Sequence, residues 1–311
     1  MELNFEGTCS ATYLLEKYHH VAKKSLGQNF LIDDFALADI ATFALEDEKN
    51  KFILEIGPGL GFLTQYLVAN AEYVVAIELD NNLIKILSNS FAGKTNFNIE
   101  HADFLDEKIN DAFLCDKFCA LCSKPLQTGE KIKVVANLPY YITSPIITKL
   151  LCEMDKVGDI FVLVQREVAE RIAAKKKHSE FGVFSILCQF YSDVNILFDI
   201  APDCFEPAPK VYSSFVELRK NDKYKNLLYS ECNVTDENEK NSLITKFFDF
   251  VKHAFMHKRK TLINNLCDKY EKDILHKNLE ILNLDQRVRP EELSIEDFIK
   301  LFYNLFYKNS K

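Results

Sequence analysis

Short apolar runs at residues 52–56, 73–78, 97–101, 132–136 and 159–165 are separated by segments whose apolar positions carry helical spacing. That alternation predicts a mostly parallel sheet with helices on both faces, an α/β architecture. After Asn137 the pattern switches to a helix, with Ser144 as its cap, Pro145 at its first position, and Ile146, Leu150 and Met154 along one side. Two further runs, 194–200 and 213–218, flank the proline-rich stretch 201–209 and predict an antiparallel pair that closes the sheet. Beyond residue 220 the strand signals stop. Residues 221–240 read as a polar linker, followed by a stripe of Phe247, Phe248, Val251 and Phe255. A capping box at Ser294–Asp297 then precedes Phe298, Leu301, Phe302 and Leu305. The pattern therefore divides the chain into an extension (1–21), an α/β domain (22–220), and a linker with a small all-helical domain (221–311).

The chemistry sits where strands end. Glu55-Ile56-Gly57-Pro58-Gly59-Leu60-Gly61 closes the first strand in a turn bare of side chains, which lets a nucleoside ligand approach the backbone. A dinucleotide fingerprint would need a glycine where Phe62 stands, so a pyrophosphate is not required. Gly-x-Gly-x-Gly with a preceding acid is instead the pattern expected for S-adenosylmethionine. Glu78 ends the next strand, placed to accept both ribose hydroxyls, with Asp80 a weaker candidate. Asp103-Phe104 follows the third strand. Its carboxylate suits either an adenine amino group, with the aromatic over the ring, or a simple turn cap. The fourth strand opens into Asn137-Leu138-Pro139-Tyr140, a loop able to hold an exocyclic amine.

Four separated segments now carry a resemblance. Lys23–Leu31, the glycine loop, Asn137–Ile142 and Phe255–Leu262 together resemble the ribosomal RNA adenine N6,N6-dimethyltransferases, and among these the bacterial small-subunit (16S), kasugamycin-resistance type. The resemblance runs from about residue 22 to the C-terminus. It implies a Rossmann-like class I S-adenosylmethionine-dependent methyltransferase sheet with a small C-terminal all-helical domain. It further implies transfer of two methyl groups to each of two adjacent adenosines in the 3′-terminal hairpin of small-subunit rRNA. Carried over by position, it puts Asn29 and Leu31 at the methionine end of the cofactor, Gly57 beneath it, Glu78 on the ribose, Asp103 on the adenine, and Asn137 between cofactor and target amine.

An adenine amine is a poor nucleophile because its lone pair is delocalised into the ring. The Asn137 amide oxygen and the Leu138 carbonyl can accept both N–H bonds and draw the lone pair out. Pro139 holds Leu138 extended and so aims that carbonyl. Tyr140 is placed to stack on the flipped base, and Phe181 is read either as a second wall or as core packing.

Composition bears on the partners. With 48% apolar residues and no run long enough for a bilayer, the 311-residue chain reads as soluble, a monomer without a membrane partner. Residues 1–21 lack the apolar core of a signal peptide, and nine cysteines without a paired framework suit a reducing cytoplasm. A net charge of −8 repels RNA on average, so binding requires local positive charge. Three groups supply it: Lys23 and Lys24 beside His19 and His20; Arg166, Arg171 and Lys175 with Lys176, Lys177 and His178; and Lys258, Arg259 and Lys260 with Lys252, His253 and His257. Each is read as a phosphate contact or as a solvated face. Cys115, Cys119 and Cys122 lie in a connection longer than the resemblance leads one to expect. With His101 as the sole further donor nearby they are read as a surface insertion, not a metal site. Two other functions remain open: a large-subunit dimethyltransferase of the erythromycin-resistance type, and a non-catalytic RNA-binding assembly or transcription factor on the same fold.

Overall fold

The computed structural model describes residues 11–18, 21–23, 26–46 and 51–308. Its strands are β1 (Phe30–Leu31), β2 (Phe52–Ile56), β3 (Tyr73–Glu78), β4 (Phe97–His101), β5 (Ile132–Asn137), β6 (Val157–Gln165), β7 (Ser192–Ile200), β8 (Phe205–Glu206) and β9 (Ser213–Lys220). Seven of them form one sheet in the order β4-β3-β2-β5-β6-β9-β7, while β1 and β8 pair separately. Strands β2 to β6 run parallel to their neighbours and β9 is antiparallel to β6. All five residues of β2 are buried, as expected of a central strand covered on both faces.

This strand order fixes the site. Because β2, β3 and β5 are parallel neighbours, the turns that follow them emerge at one edge. The order reverses between β2 and β5, the crevice at which ligands bind in open α/β sheets. Gly57, Glu78 and Asn137 come together for that reason.

The first seven helices are α1 (Ala11–Lys17), α2 (Asp34–Leu45), α3 (Phe62–Asn70), α4 (Asn81–Ser90), α5 (Asp111–Cys122), α6 (Thr143–Cys152) and α7 (Arg166–Ala173). Two differ from expectation. The helix after Asn137 starts at Thr143 rather than at a Ser144 cap, because a 3-10 turn, Tyr140–Ile142, already begins the helical bonding with Ile142 N donating to Pro139 O at 3.2 Å. Pro145 thus falls at the third helical position, not the first, still within the turn whose N–H groups lack helical partners. The cysteine-bearing segment is α5 itself, not a surface insertion. Leu114 and Phe118 on it are fully buried, with the Phe118 ring 5.4 Å from that of Phe52 on β2.

The remaining helices are α8 (Val183–Tyr191), α9 (Lys223–Cys232), α10 (Glu237–Ala254), α11 (Leu262–Leu266), α12 (Lys272–Ile281) and α13 (Ile295–Tyr303). By contact the chain forms two units: residues to Ala169 with Val194–Lys220, and Glu170–Asp193 with Asn221 onward. The second unit thus takes up 170–193, which the sequence pattern leaves in the α/β domain. Aromatic packing accounts for this, since Phe190 on α8 meets Phe247 and Phe248 on α10 at 5.4 and 5.2 Å. The expected linker is also structured. Tyr224, Leu228 and Cys232 recur along one side of α9, Leu228 is buried, and Tyr224 stacks on Phe190 at 6.4 Å. The capping box before α13 forms as expected: Ser294 N donates to Asp297 Oδ2 at 2.9 Å and Asp297 N to Ser294 Oγ at 3.1 Å. Among the described residues no helix is long and apolar enough to cross a membrane.

Candidate active site

One cavity in the first unit is lined by residues from the four turns that follow β2, β3, β4 and β5 and from Leu26–Leu31. All three glycines of the turn are left-handed, with φ of 68°, 62° and 89° at Gly57, Gly59 and Gly61. A Cβ at Gly59 would stand 3.0 Å from the Phe30 ring, and one at Gly61 would stand 2.8 Å from Leu87. Glycine therefore lets the 29–31 segment close against the turn and lets α3 pack on α4. Gly57 N donates to Ile77 O at 2.9 Å, tying the turn to β3.

Glu78 is 6% exposed. Its Oε1 accepts from Asp80 N at 2.8 Å and its Oε2 from Gly59 N at 3.2 Å. Burial pushes its carboxyl above the ordinary value, against the backbone N–H groups of Asp80, Gly59 and Leu79. Asp80, the alternative, is committed elsewhere. It caps α4 through Asn82 N, accepts from Gln28 Nε2 at 3.2 Å and pairs with Lys23 at 2.8 Å. Burial alone would raise the Asp80 carboxyl, but these partners outweigh it and hold it below its usual value. Lys23 is thus paired with Asp80, where the sequence pattern reads as a phosphate contact or a solvated face. Lys24, His19 and His20 lie outside the described residues.

Asp103 makes the turn cap, its Oδ1 accepting from Leu105 N at 2.9 Å, and the residue also lines the cavity beside buried Phe104. Leu31, also buried, lines it from β1. Asn29 holds the preceding turn by donating from Nδ2 to Gly27 O at 3.2 Å. Asn137 donates from Nδ2 to Asn29 O at 3.3 Å. An amide carries its donor and acceptor on opposite sides, so this bond leaves Asn137 Oδ1 turned away from Asn29 and able to accept. Leu138 N is taken by Leu163 O at 3.1 Å, which fixes the loop over β6. The Tyr140 hydroxyl bonds Ser213 Oγ on β9 at 2.7 Å, and burial pushes its phenol up. Ser213, 73 residues further on, has no signal in the sequence that could link it to Tyr140.

Glu55 is the other residue the site reading passed over, although it opens the glycine motif. It is 1% exposed, lines the cavity, and its Oε2 lacks a hydrogen-bond partner among the described residues. Burial pushes its carboxyl up to about 8, the nearby Thr64 hydroxyl opposing and Glu78 reinforcing.

Phe181 belongs to the second unit, where it is 4% exposed and meets Phe255 edge-on at 6.5 Å. Arg171 and Lys175 are exposed in that unit, and Lys258, Arg259 and Lys260 form an exposed turn between α10 and α11. Arg166 stands 3.5 Å from Asp199. His101 Nε2 bonds Leu79 O at 3.0 Å, so its ring is engaged away from the α5 cysteines.

A mostly parallel sheet with a reversed order at a glycine turn, a buried carboxylate at the end of the next strand and a second one beneath the turn define a class I S-adenosylmethionine-dependent methyltransferase. The residues fit the cofactor: the turn has no side chain to obstruct it, and Glu55 presents a buried, unpartnered oxygen suited to an ammonium. The pattern of the ribosomal RNA adenine dimethylase family matches residues 19–306, and the chain belongs to that family. It is 39% identical over 289 residues to ribosomal RNA small subunit methyltransferase A of Clostridium acetobutylicum, covering 93% of this chain and 95% of that one. It is 38% identical over 291 residues to the protein of the same name from Alkaliphilus metalliredigens, covering 93% of each. Among solved structures, a dimethyladenosine transferase from Plasmodium falciparum superposes with a TM-score of 0.66 at 22% identity, covering 88% of this chain and 95% of that one. The 23S rRNA methyltransferase ErmE superposes at 0.62 and 22%, covering 89% and 99%. These two likenesses concern the fold. The chain is an S-adenosylmethionine-dependent rRNA adenine dimethyltransferase.

Proposed function

We propose that this protein dimethylates the N6 amines of two adjacent adenosines in the 3′-terminal hairpin of 16S rRNA, acting as a monomer in the cytoplasm on the small ribosomal subunit or its precursor. The observation that carries the reading is the Asn137 amide, which lines the same cavity as Glu78 and Asp103 and has its Nδ2 committed to Asn29 O, so that its oxygen is the group left to accept. The 38–39% identity to small-subunit enzymes supports the choice of RNA.

Each residue then has one task. When bound, the cofactor supplies an electrophilic methyl group on a sulfonium. Glu78 accepts the ribose hydroxyls, Asp103 accepts the adenine amine, Phe104 and Leu31 supply apolar walls, and Gly57, Gly59 and Gly61 keep the floor bare. Asn137 Oδ1 and the Leu138 carbonyl accept the two N–H bonds of the target amine as its nitrogen becomes tetrahedral, and Pro139 aims that carbonyl. Positioning carries much of the rate, because the leaving group is already good. Tyr140, tethered by Ser213, offers its ring to the extruded base at roughly 1 to 3 kcal/mol of stacking. Arg166, Arg171, Lys175, Lys258, Arg259 and Lys260 contact phosphates.

The test is to incubate the protein with labelled S-adenosylmethionine and separately purified, unmethylated small and large ribosomal particles, then map the label. Two adjacent dimethyladenosines in the small-subunit hairpin are expected. Label confined to the large subunit would make the protein the erythromycin-resistance type, and binding without label would make it a non-catalytic factor.

A further inference from the structure

Lys149 lies on α6, one turn beyond Ile146, which lines the cavity. It is 7% exposed, and no salt bridge engages it among the described residues. Its ammonium instead donates to Phe104 O at 2.9 Å and to Asp106 O at 2.6 Å, and stands 5.4 Å from the centre of the Phe104 ring. A buried ammonium without a carboxylate against it is costly, so its placement calls for a compensating role. Burial lowers its proton affinity, and the carboxylates of Glu153, Asp106, Asp103 and Glu107 act the other way.

What it holds is the turn 103–109. Asp106 N donates to Asp103 O at 3.0 Å, Ile109 N to Asp106 O at 3.0 Å, and Leu105 N to the Asp103 carboxylate at 2.9 Å. Two carbonyls of this turn converge on one ammonium, so its backbone cannot rotate without leaving a buried charge unpartnered. The other end of the same helix is tied to the acceptor loop, since Thr143 Oγ1 donates to Pro139 O at 3.1 Å.

We propose that Lys149 is a positioning residue for cofactor selectivity: it fixes the Asp103-Phe104 turn so that the Asp103 carboxylate meets a 6-amino purine and rejects a 6-oxo one. It touches neither cofactor nor RNA. The inference rests on the reading of Asp103 as the adenine acceptor.

Calorimetry with S-adenosylhomocysteine and with S-inosylhomocysteine, in which the purine amine is replaced by a carbonyl, tests it without turnover. Wild type should bind the adenosine form more tightly. Lys149→Met, checked for its fold by circular dichroism, should lose about tenfold or more of that preference, whereas a change confined to stability would leave the ratio of the two affinities intact. Lys149→Gln, which keeps one donor, should fall between. An unchanged ratio in either folded variant would overturn the proposal, as would failure of both to fold, which would assign Lys149 to stability alone. Wild-type binding of both ligands with no preference would remove Asp103 from the adenine and the proposal with it. Binding of neither ligand would instead count against the cofactor site itself.

Discussion

At the residue scale, the strongest claim concerns Asn137. If its oxygen accepts from the target amine chiefly as the nitrogen becomes tetrahedral, Asn137→Ala should lower the single-turnover methylation rate by on the order of 10² to 10³ while changing RNA affinity little. Saturating S-adenosylmethionine isolates the chemical step, and a wild-type rate would reduce the loop to a structural turn. Glu55 makes a second claim, about pH. Its carboxyl rises from 4.5 in the unfolded chain to about 8 in the fold, so the folded protein holds a proton that the unfolded chain releases between those values. Ionisation is thus favoured in the unfolded chain, and stability falls as pH rises through that window, by on the order of 1.4 kcal/mol per unit. Glu55→Gln removes the titration. Its melting temperature without cofactor should match wild type near pH 5 and exceed it near pH 8, and parallel pH profiles would show that Glu55 is ionised in the fold. Neither orphan oxygen nor pH slope could be read from the letter E before the glycines; burial on a central strand creates both.

At the scale of elements, the glycine turn and α6 show what local sequence can and cannot convey. The strands were legible because apolar runs of that length, separated by helical spacing, leave few other folds, and β2 to β6 lie within a residue or two of expectation. The start of α6 was less legible, because a 3-10 turn begun by Pro139 overrides the capping preference of Ser144. Helix α5 was missed because its apolar residues, Phe113, Leu114, Phe118 and Leu121 among them, surround the helix without marking one side, and its cysteines drew attention as a motif. Gly61 provides the test at this scale. Its φ of 89° and the closeness of Leu87 and Phe91 mean that Gly61→Ala should cost about 1 to 3 kcal/mol and loosen α3 from α4. Chemical denaturation measures it, and an unchanged midpoint would show that the turn relaxes freely.

At the scale of the whole molecule, the charge distribution decides how an acidic protein meets a polyanion. The total of −8 is spread over the chain, whereas Lys258, Arg259 and Lys260 occupy one exposed turn with no salt bridge among the described residues. Replacing all three by Ala should weaken binding to the small ribosomal particle and flatten its dependence on log salt by about one unit per lost phosphate contact. Cofactor affinity should stay as it is. Filter binding across a salt series decides the matter, with equal slopes returning the turn to plain solvation. The sequence made these clusters visible as composition but could not separate them. Lys23 reads like the others, yet it is held by Asp80, 57 positions away. Contacts between distant positions, here and at Ser213 and Lys149, leave no trace in local pattern, which is why residues that line the cavity were legible and their supports were not.

The bond that orients Asn137 ends on a main-chain oxygen, that of Asn29. The 29–31 segment offers the same carbonyl whatever side chain residue 29 carries, so a substitution there reaches the orientation only through the turn that Asn29 Nδ2 holds at Gly27 O. The dependence is one-way in genetic terms. A lesion at 137 has no complementary allele at 29, since no codon change alters a carbonyl. A screen for second-site revertants of Asn137→Ala should yield none at that position.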